Sequence, residues 1–463
     1  MNGFAFIFLL INAAALLSVP RRWAPLPLLA GACYMTLGQG IEVGPLHFPI
    51  IRLLLLFGFA RVIIRNERPA GGFNGLDWFM LAWAFWCLFS SIFVQPLTSQ
   101  LGTVYNTLGI YFLIRIFCQN IDDIIFYSKI TAFVLLPVAL EMVGEKLTGR
   151  NMFAIFGDVP EMASVREGSI RAQGPFSHSI LAGTVGAAVL PLMVGIWKTQ
   201  RLAAKVGIVA CLLMVLASRS SGPLMSVVFG LFGLMLWKWR AFTRQMRIAA
   251  VVFYIVLDVC MQAPAYYLIA RIDLTGSSTG YHRAALIQAA INHFSEWWFA
   301  GTAYTRHWMP YGVSWSEDHC DITNQYIGYG VFGGFPLMLL FIFALGTAFN
   351  YVGKTIRLDE NAPLSEQFHI WTLGAALFAQ ACSCMSVYYF DQSFVFLFSN
   401  LAMIGSLYSS AKMAPATLVE SEDADVEADS AVTELASPQS DGPDGKQPDA
   451  QDQNPEITKA GSA

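Results

Sequence analysis

The chain has 463 residues, of which 55% are hydrophobic and 13% are charged, and its net charge is −4. A soluble domain carries about 25% charged residues, so a body built only of soluble domains is excluded. Apolar runs of roughly 16–25 residues recur along most of the chain, which is the pattern of membrane-spanning helices.

About thirteen segments are predicted to be helices, each with about 20 mostly apolar residues. In chain order they cover residues 3–19, 24–40, 46–64, 76–95, 101–117, 125–143, 179–197, 203–219, 222–238, 248–268, 325–349, 366–387 and 392–410. The second segment is the weakest, and a re-entrant helix is the alternative interpretation for it. Together the segments predict an all-α polytopic membrane protein with about 12–13 transmembrane helices.

The basic residues predict the orientation of this bundle. Five short connections are basic: Arg21–Arg22, Arg61/Arg65/Arg68, Lys198/Arg201/Lys205, Lys238/Arg240/Arg244/Arg247 and Lys354/Arg357. When the spans are counted, all five fall on one side, which the positive-inside rule identifies as cytoplasmic. The N-terminus is then outside, and residues 269–324 form one large periplasmic loop.

The chain divides by composition into two regions. Residues 1–412 form the predicted membrane domain, and residues 413–463 contain no Phe, Trp or Tyr. Residues 420–463 hold twelve Asp and Glu but only two Lys. A segment this polar cannot bury a core, so the sequence predicts a disordered, acidic, cytoplasmic tail.

Four polar segments gather on the predicted outer side, at residues 171–178, 218–223, 280–294 and 318–326. A charge at membrane depth is expensive, and Arg219 lies in a short turn between apolar helices. Arg171, Arg219 and Arg283 are predicted to converge on one anionic ligand, because a guanidinium donates two hydrogen bonds to a phosphate at once. The alternative is that each arginine reaches toward lipid headgroups.

The third segment is predicted to be an amphipathic helix that lies on the membrane surface or against the bundle. A Ser or Thr at positions 277–279 is expected to cap it. One apolar stripe is predicted along it, formed by Ala284, Ile287, Ile291 and Phe294. Arg283 falls in the first turn, beside free backbone N–H groups that favour an anion.

The four histidines of the large loop, His282, His293, His307 and His319, are 11, 14 and 12 residues apart. This spacing contains no close pair of metal ligands, so the sequence predicts no metal site. No phosphate-binding glycine motif is present, which predicts no nucleotide cofactor. The basic residues of the inner side are explained by topology, so nucleic-acid binding is not expected.

The four polar segments, in this order, resemble the O-antigen ligase/polymerase family of bacterial envelope proteins. The family's elements appear here as Arg171-Gly174-Phe176-His178, as Ser218-Arg219, as Arg283 in the large loop, and as residues 319–326 before Gly328 and Gly330. The resemblance covers roughly residues 76–410, and the order of the motifs is more specific than any one of them.

The resemblance implies a nucleotide-independent glycosyltransferase of the bacterial cytoplasmic membrane. Its donor would be a glycan on a polyprenyl diphosphate, and its acceptor a glycan, a lipid or a protein on the outer face. Arg171, Arg219 and Arg283 would bind the diphosphate. Whether the chain is a ligase or a polymerase stays open, and membrane lipids and envelope polysaccharide machinery are the further partners implied.

The catalytic base is less defined by the resemblance. In the family a His often directly precedes the Asn, whereas here Thr323 precedes Asn324. His319 and Asp321 are therefore the expected catalytic residues together with Arg283, and Asp318 is a further candidate for the base. His178, His282 and Asn324 are expected to contact the substrate.

A transporter or flippase of lipid-linked oligosaccharides is the alternative function. It would use charged groups inside the bundle, for which the candidates are Arg52, Arg115, Glu141 and Asp258. It would also show broken, repeated helices. The concentration of polar groups in one outer loop favours the enzyme.

The predicted topology can be tested with single cysteines at Ser316 and Ser437, in a background without reactive native thiols. A membrane-impermeant thiol reagent should label position 316 in intact spheroplasts and position 437 only after permeabilisation, because the basic connections place them on opposite sides. Labelling of position 437 alone in intact spheroplasts would reverse the topology and remove the basis for an outer-face enzyme.

Overall fold

The computed structural model describes residues 1–44, 46–94, 96–271, 280–314 and 316–413. The acidic tail from residue 414 onward and the predicted helix cap at 277–279 lie outside the described residues. Within the described ranges the chain is mostly helical.

The α-helices account for every apolar segment predicted above. They are α1 (Gly3–Ser18), α2 (Pro25–Tyr34), α3 (Ile50–Arg65), α4 (Gly75–Ser90), α5 (Leu97–Phe117), α6 (Ile121–Thr148), α7 (Ser179–Gly195), α8 (Arg201–Ser218), α9 (Ser221–Met235), α10 (Thr243–Cys260), α11 (Gly280–Asn292), α12 (Phe294–Trp297), α13 (Gln325–Leu358), α14 (Leu364–Ser383) and α15 (Phe394–Met413). A helix is thus confirmed in each segment, but the predicted bounds were wrong at residues 35–40, which are not helical, and at Leu46–Pro49, which is a strand.

Five helical segments among the described residues are long and apolar enough to cross a membrane. They are α6, α8, the run Ser221–Met246 that begins with α9, α13 and α15. Helices α1, α4 and α7 are apolar but shorter. Helix α2, with 10 residues, is only about 15 Å long, so it cannot cross a hydrocarbon core of about 30 Å by itself.

Three short β-hairpins were not predicted from the sequence. They pair β1 (Gly40–Val43) with β2 (Leu46–Pro49), β3 (Ser164–Arg166) with β4 (Ser169–Arg171), and β5 (Gly312–Val313) with β6 (Ser316–Cys320). All three are antiparallel. The second hairpin ends at Arg171 and the third carries His319, so two of the candidate residues lie on strands.

Helix α7 lies at the centre of the described bundle, where it packs against α8, α9 and α14. Of its 17 residues, 15 are buried. Small residues allow this close packing: a Cβ on Gly186 would lie 2.7 Å from the carbonyl oxygen of Cys211. The start of α7, which His178 caps, is therefore held by three neighbouring helices.

Helix α13 is interrupted at Gly333 and Gly334, and Gly334 has a left-handed φ of 81°. The loop after α12 packs into this break. The backbone N–H of Phe335 donates to the carbonyl of Trp298 over 2.8 Å, and the Trp86 indole donates to the carbonyl of Gly333 over 2.8 Å. The segment that contains α11 and α12 is thereby docked on the bundle.

Replacing Gly334 with alanine should destabilise the protein by more than about 2 kcal/mol. The new Cβ would overlap the carbonyl of Phe299, and an L-residue is strained at this φ. Gly346→Ala in the same helix is the matched control, because no atom lies within 4 Å of its Cβ position. Unfolding temperatures would be measured in detergent by intrinsic fluorescence. If both variants unfolded at the wild-type temperature, the packing of Gly334 against Phe299 would be contradicted.

Candidate functional site

The β3–β4 hairpin places two arginines on one face. Its turn residues Glu167 and Gly168 both have positive φ, 49° and 70°, as a tight two-residue hairpin turn requires. Ser164 is paired with Arg171, and Arg166 is two residues from Ser164. Because side chains two apart on a strand share a face, Arg166 and Arg171 lie on the same side of the hairpin.

Carboxylates hold the irregular backbone that follows Arg171. The buried side chain of Glu145 in α6 accepts hydrogen bonds from the backbone N–H of Gln173, over 3.0 Å, and of Gly174, over 2.8 Å. The N–H of Ser177 donates to the buried carboxylate of Asp391 over 2.9 Å. These acids satisfy buried amides that would otherwise lack partners, and they fix the segment between α6 and the loop before α15.

Two buried arginines each approach the first turn of α9. Arg171 Nη2 donates to Ser220 Oγ over 2.5 Å, and Arg283 Nη2 lies 3.7 Å from the position that a Cβ on Gly222 would occupy. The two residues are only 9% and 8% exposed. The Nε of each guanidinium has no hydrogen-bond partner among the described residues, so each keeps a donor for a ligand.

Among the described residues, this pair has no acidic partner. Burial lowers the pKa of Arg171 and of Arg283, and the charge of Arg166 lowers both further. In the described part of the chain, no carboxylate forms an ion pair with any of these three arginines. Ser220, the N-cap of α9, makes no side-chain capping bond, and a helix N-terminus itself favours an anion. The arrangement can bind a phosphate.

His178 is a neutral donor in this environment. Its Nδ1 accepts a hydrogen bond from the N–H of Ile180 over 3.1 Å, so the neutral ring carries its proton on Nε2. Burial lowers the pKa of His178 to about 4, and the charges of Arg171 and Arg166 contribute in the same direction. At neutral pH the ring can donate a hydrogen bond to a ligand but does not add a charge.

Arg219 is placed differently from the buried pair. It follows α8 in the left-handed conformation, with φ 40°, and its side chain is exposed. Its positive charge acts on the ammonium group of Lys146 in α6. The Nζ of Lys146 in turn donates a hydrogen bond to the carbonyl of Ile170 over 3.1 Å. Arg171 and Arg283 are thus buried near α9, whereas the side chain of Arg219 is exposed. The convergence of the three arginines on one ligand stays a prediction.

The candidate bases lie at and just after β6. His282 Nε2 is 3.0 Å from the carbonyl oxygen of Asp321, which ties the backbone of Asp321 to the first turn of α11. The carboxylate of Asp321 is exposed, as is that of Asp318. His319 is half-buried, and its Nδ1 lies 3.2 Å from Thr305 Oγ1.

Asn324 caps helix α13. Its Oδ1 accepts from the N–H groups of Tyr326 and Ile327 over 2.9 and 3.1 Å. Its Nδ2 donates to the carbonyl of Met385 over 3.1 Å. Both ends of the side-chain amide are therefore occupied by the protein, and the role that the structure gives Asn324 is structural.

The buried face of α11 differs from the predicted apolar stripe, of which Ile291 and Phe294 are 55% and 41% exposed. The buried residues are Gly280, Arg283, Ala284, Leu286, Ala289 and Ala290. The stripe prediction was wrong for Ile291 and Phe294, whereas Ala284 is buried as expected. Arg283 faces inward, and small residues let the helix approach closely.

A cavity of about 490 Å³ lies beside the segment that borders the arginine pair. Ser386 and Val387 have side-chain atoms 3.7 and 3.8 Å from the Cβ position of Gly222. The residues that follow, including Tyr388 and Asp391, line the cavity. One irregular stretch of chain therefore passes next to Gly222, which Arg283 also approaches, and borders this cavity.

The structure brings two loop histidines to one carboxylate. His293 Nδ1 and His307 Nε2 lie 2.7 and 3.0 Å from carboxylate oxygens of Glu296. Their spacing along the chain had predicted no metal ligands. The absence of a metal site stays a prediction, but spacing along the chain did not show that these side chains come together when the fold brings residue 307 back to α12.

Sequence reasoning missed Arg166, Glu145 and Asp391. A signal for Arg166 was present, because Glu167-Gly168 stands between two short stretches in which polar and apolar residues alternate. This pattern is typical of a β-hairpin. The two acids carried no such signal, because their partners are backbone amides far away in the sequence. No family model matches this chain, and no curated protein matches it either.

On acidification, the free energy of unfolding should fall more steeply in the wild type than in the His178→Asn variant. The unfolded residue takes up its proton near pH 6.5 and the folded one only near pH 4, so protonation favours the unfolded chain within that window. The extra loss of unfolding free energy in the wild type should approach about 3 kcal/mol at the acid end of this window. Asparagine keeps the helix cap, and His47→Asn, an exposed site, is the control.

Unfolding temperatures in detergent at about pH 7 and about pH 5 would measure the effect, since these values bracket most of the window. Parallel pH dependence in the wild type and in His178→Asn would show that the ring is not held neutral by its surroundings.

Proposed function

We propose that this chain is a membrane glycosyltransferase that transfers a glycan from a polyprenyl diphosphate to a glycan, lipid or protein acceptor on the outer face of the bacterial cytoplasmic membrane. The observation that carries the proposal is the buried pair Arg171 and Arg283 at the first turn of α9. A buried charge without a counter-ion is costly, and a diphosphate would supply the missing charge. The resemblance to the O-antigen ligase/polymerase family supports this choice of anion.

The proposed reaction needs no nucleotide because the sugar–diphosphate bond is already activated. The acceptor hydroxyl oxygen bonds to the anomeric carbon as the bond from that carbon to the diphosphate oxygen breaks. The electron pair of the broken bond stays with the diphosphate. Arg171 and Arg283 stabilise this added charge, and the Nε2–H of His178 donates to the same anion.

The proton of the acceptor hydroxyl passes to a base in the outer loop. Asp321 is supported by its exposed carboxylate and by the hydrogen bond that ties its backbone to His282, next to Arg283. His319 is the second candidate, and its contact with Thr305 fixes the orientation of its ring. Asp318 stays a further candidate because it is exposed on the same strand.

Transport is the second candidate function, and the broken helix α13 beside a cavity is the observation that favours it. In transporters of this kind, the groups freed by a break bind the substrate. Here the freed carbonyls accept from the protein: Val331 from the N–H of Thr302, Phe332 from Gln100 and Gly333 from Trp86. The break therefore serves to dock the outer loop.

The charged residues proposed for a transport path also have local partners. Arg115 is 3.4 Å from Asp77, Arg52 donates to Asn106, Glu141 accepts from the N–H of Met152, and Asp258 accepts from the N–H of Ala265. Each of these local contacts accounts for the position of its charged residue, so no transported substrate is needed to explain it. The enzymatic function is favoured on this ground.

Arg283→Lys should lower transfer by about 10²-fold. Lysine keeps the charge but loses the planar fork that binds two phosphate oxygens. Arg150→Lys, an exposed position, is the matched control and should keep full activity. Transfer from a synthetic polyprenyl-diphosphate glycan by the full chain in proteoliposomes would measure this. Full activity of both Arg283→Lys and Arg171→Lys would remove the arginine pair from the mechanism.

Exchanges at the two candidate bases should separate them. Removal of the true base, in Asp321→Asn or in His319→Ala, should lower the transfer rate by about 10²–10⁴-fold. Retained binding of the diphosphate donor by the inactive variant would distinguish loss of the base from loss of the site. If Asp321→Asn, His319→Ala and Asp318→Asn all transfer at the wild-type rate, the loop does not supply the base.

A further inference from the structure

A second cluster of polar groups lies at the far end of α11 from Arg283. His293 precedes α12, Glu296 lies within it, and His307 belongs to a 3-10 turn at Arg306–Trp308. The carboxylate of Glu296 accepts from both rings, over 2.7 and 3.0 Å. One ligand atom from each of the three residues lies within 4.8 Å of the other two.

Aromatic contacts hold both imidazoles in place. The His293 ring stacks on Trp308 with a centroid distance of 5.8 Å, and the His307 ring stacks on Tyr304 at 5.2 Å, each with an interplanar angle of 10°. The indole N–H of Trp308 donates to Glu296 Oε2 over 3.0 Å. A donor behind a coordinating carboxylate is the support that metal sites use to orient their ligands.

We propose that His293, Glu296 and His307 bind a divalent transition metal of the zinc class. Ligands at about 2.0–2.2 Å from a tetrahedral zinc are roughly 3.3–3.5 Å apart, so small side-chain rotations would convert this cluster into a coordination shell. Two imidazoles and one carboxylate suit zinc and its neighbours better than Ca²⁺ or Mg²⁺, which prefer oxygen. All three side chains are 30–37% exposed, which leaves a coordination position for water.

The charge of the cluster suits a cation. The only acidic member, Glu296, is surrounded by three donors: the indole N–H of Trp308 and the rings of His307 and His293. A bound cation would replace the protons through which the two rings now contact the carboxylate of Glu296.

The metal would join α12 to the strand that carries His319. Thr305, at the start of the 3-10 turn, donates its N–H to the carbonyl of Asp318 over 2.8 Å and accepts at Oγ1 from the N–H of Cys320 over 3.2 Å. His293 is ten residues beyond Arg283, or about 15 Å along a helix. The metal would therefore stabilise the loop at a distance from Arg283, and it would steady the strand that carries the candidate base His319.

Zinc binding by the full chain tests the proposal. The protein would be purified in detergent with an affinity tag that contains no histidine, stripped with a chelator and titrated with ZnCl₂ by calorimetry. We expect about one zinc per chain and a rise in the unfolding temperature, since a ligand of the native state stabilises it. Glu296→Gln and His307→Ala should each weaken binding by at least about tenfold.

Matched controls are Glu317→Gln, which removes an exposed charge from the same loop, and His47→Gln, which removes a histidine elsewhere. Both should bind zinc as the wild type does. Trp308→Phe keeps the three ligands and the ring stack, so it should fold and lose only part of the affinity. Unchanged binding in Glu296→Gln, or wild-type protein that takes up no zinc, would overturn the proposal whatever the transfer assay shows.

Discussion

The cost of burying charge inside an apolar bundle governs where this chain can place its polar groups. A charged group moved out of water costs several kcal/mol unless a partner compensates it. Arg115 is compensated, because the carboxylate of Asp77 lies 3.4 Å away and Ser409 of α15 accepts a further hydrogen bond. Arg171 and Arg283 are buried as well but have no carboxylate partner among the described residues, so their charge is available to a ligand.

The same constraint explains why nearby acids leave that charge in place. Glu145 and Asp391 are buried close to the segment after Arg171, and both accept from backbone N–H groups of that segment. If either carboxylate turned toward an arginine, it would leave buried amides without partners, which costs about 1–3 kcal/mol each. The rigidity of the segment and its surplus of positive charge are therefore two consequences of one arrangement.

The helices could be predicted from the sequence because an apolar chain in hydrocarbon must satisfy its own backbone hydrogen bonds, and a helix does so locally. The hairpins could not, since strands of two to five residues are too short to show a clear period. The inward position of Arg283 and the meeting of His307 with Glu296 depend on contacts between distant residues. The sequence therefore indicated which residue types matter and in which loop they lie, but not which of them face each other.

The segment that contains α11 and α12 is held by contacts within itself and with the bundle, and this decides how its residues can act. The first turn of α11 is held by the contact of His282 with Asp321, and the loop after α12 is held by the break at Gly334. Groups carried by such anchored elements keep their positions better than groups on a free loop, as precise chemistry requires. A change at the break would therefore move Arg283 relative to α9 without altering its charge, so orientation of the substrate would suffer before binding of its anion did.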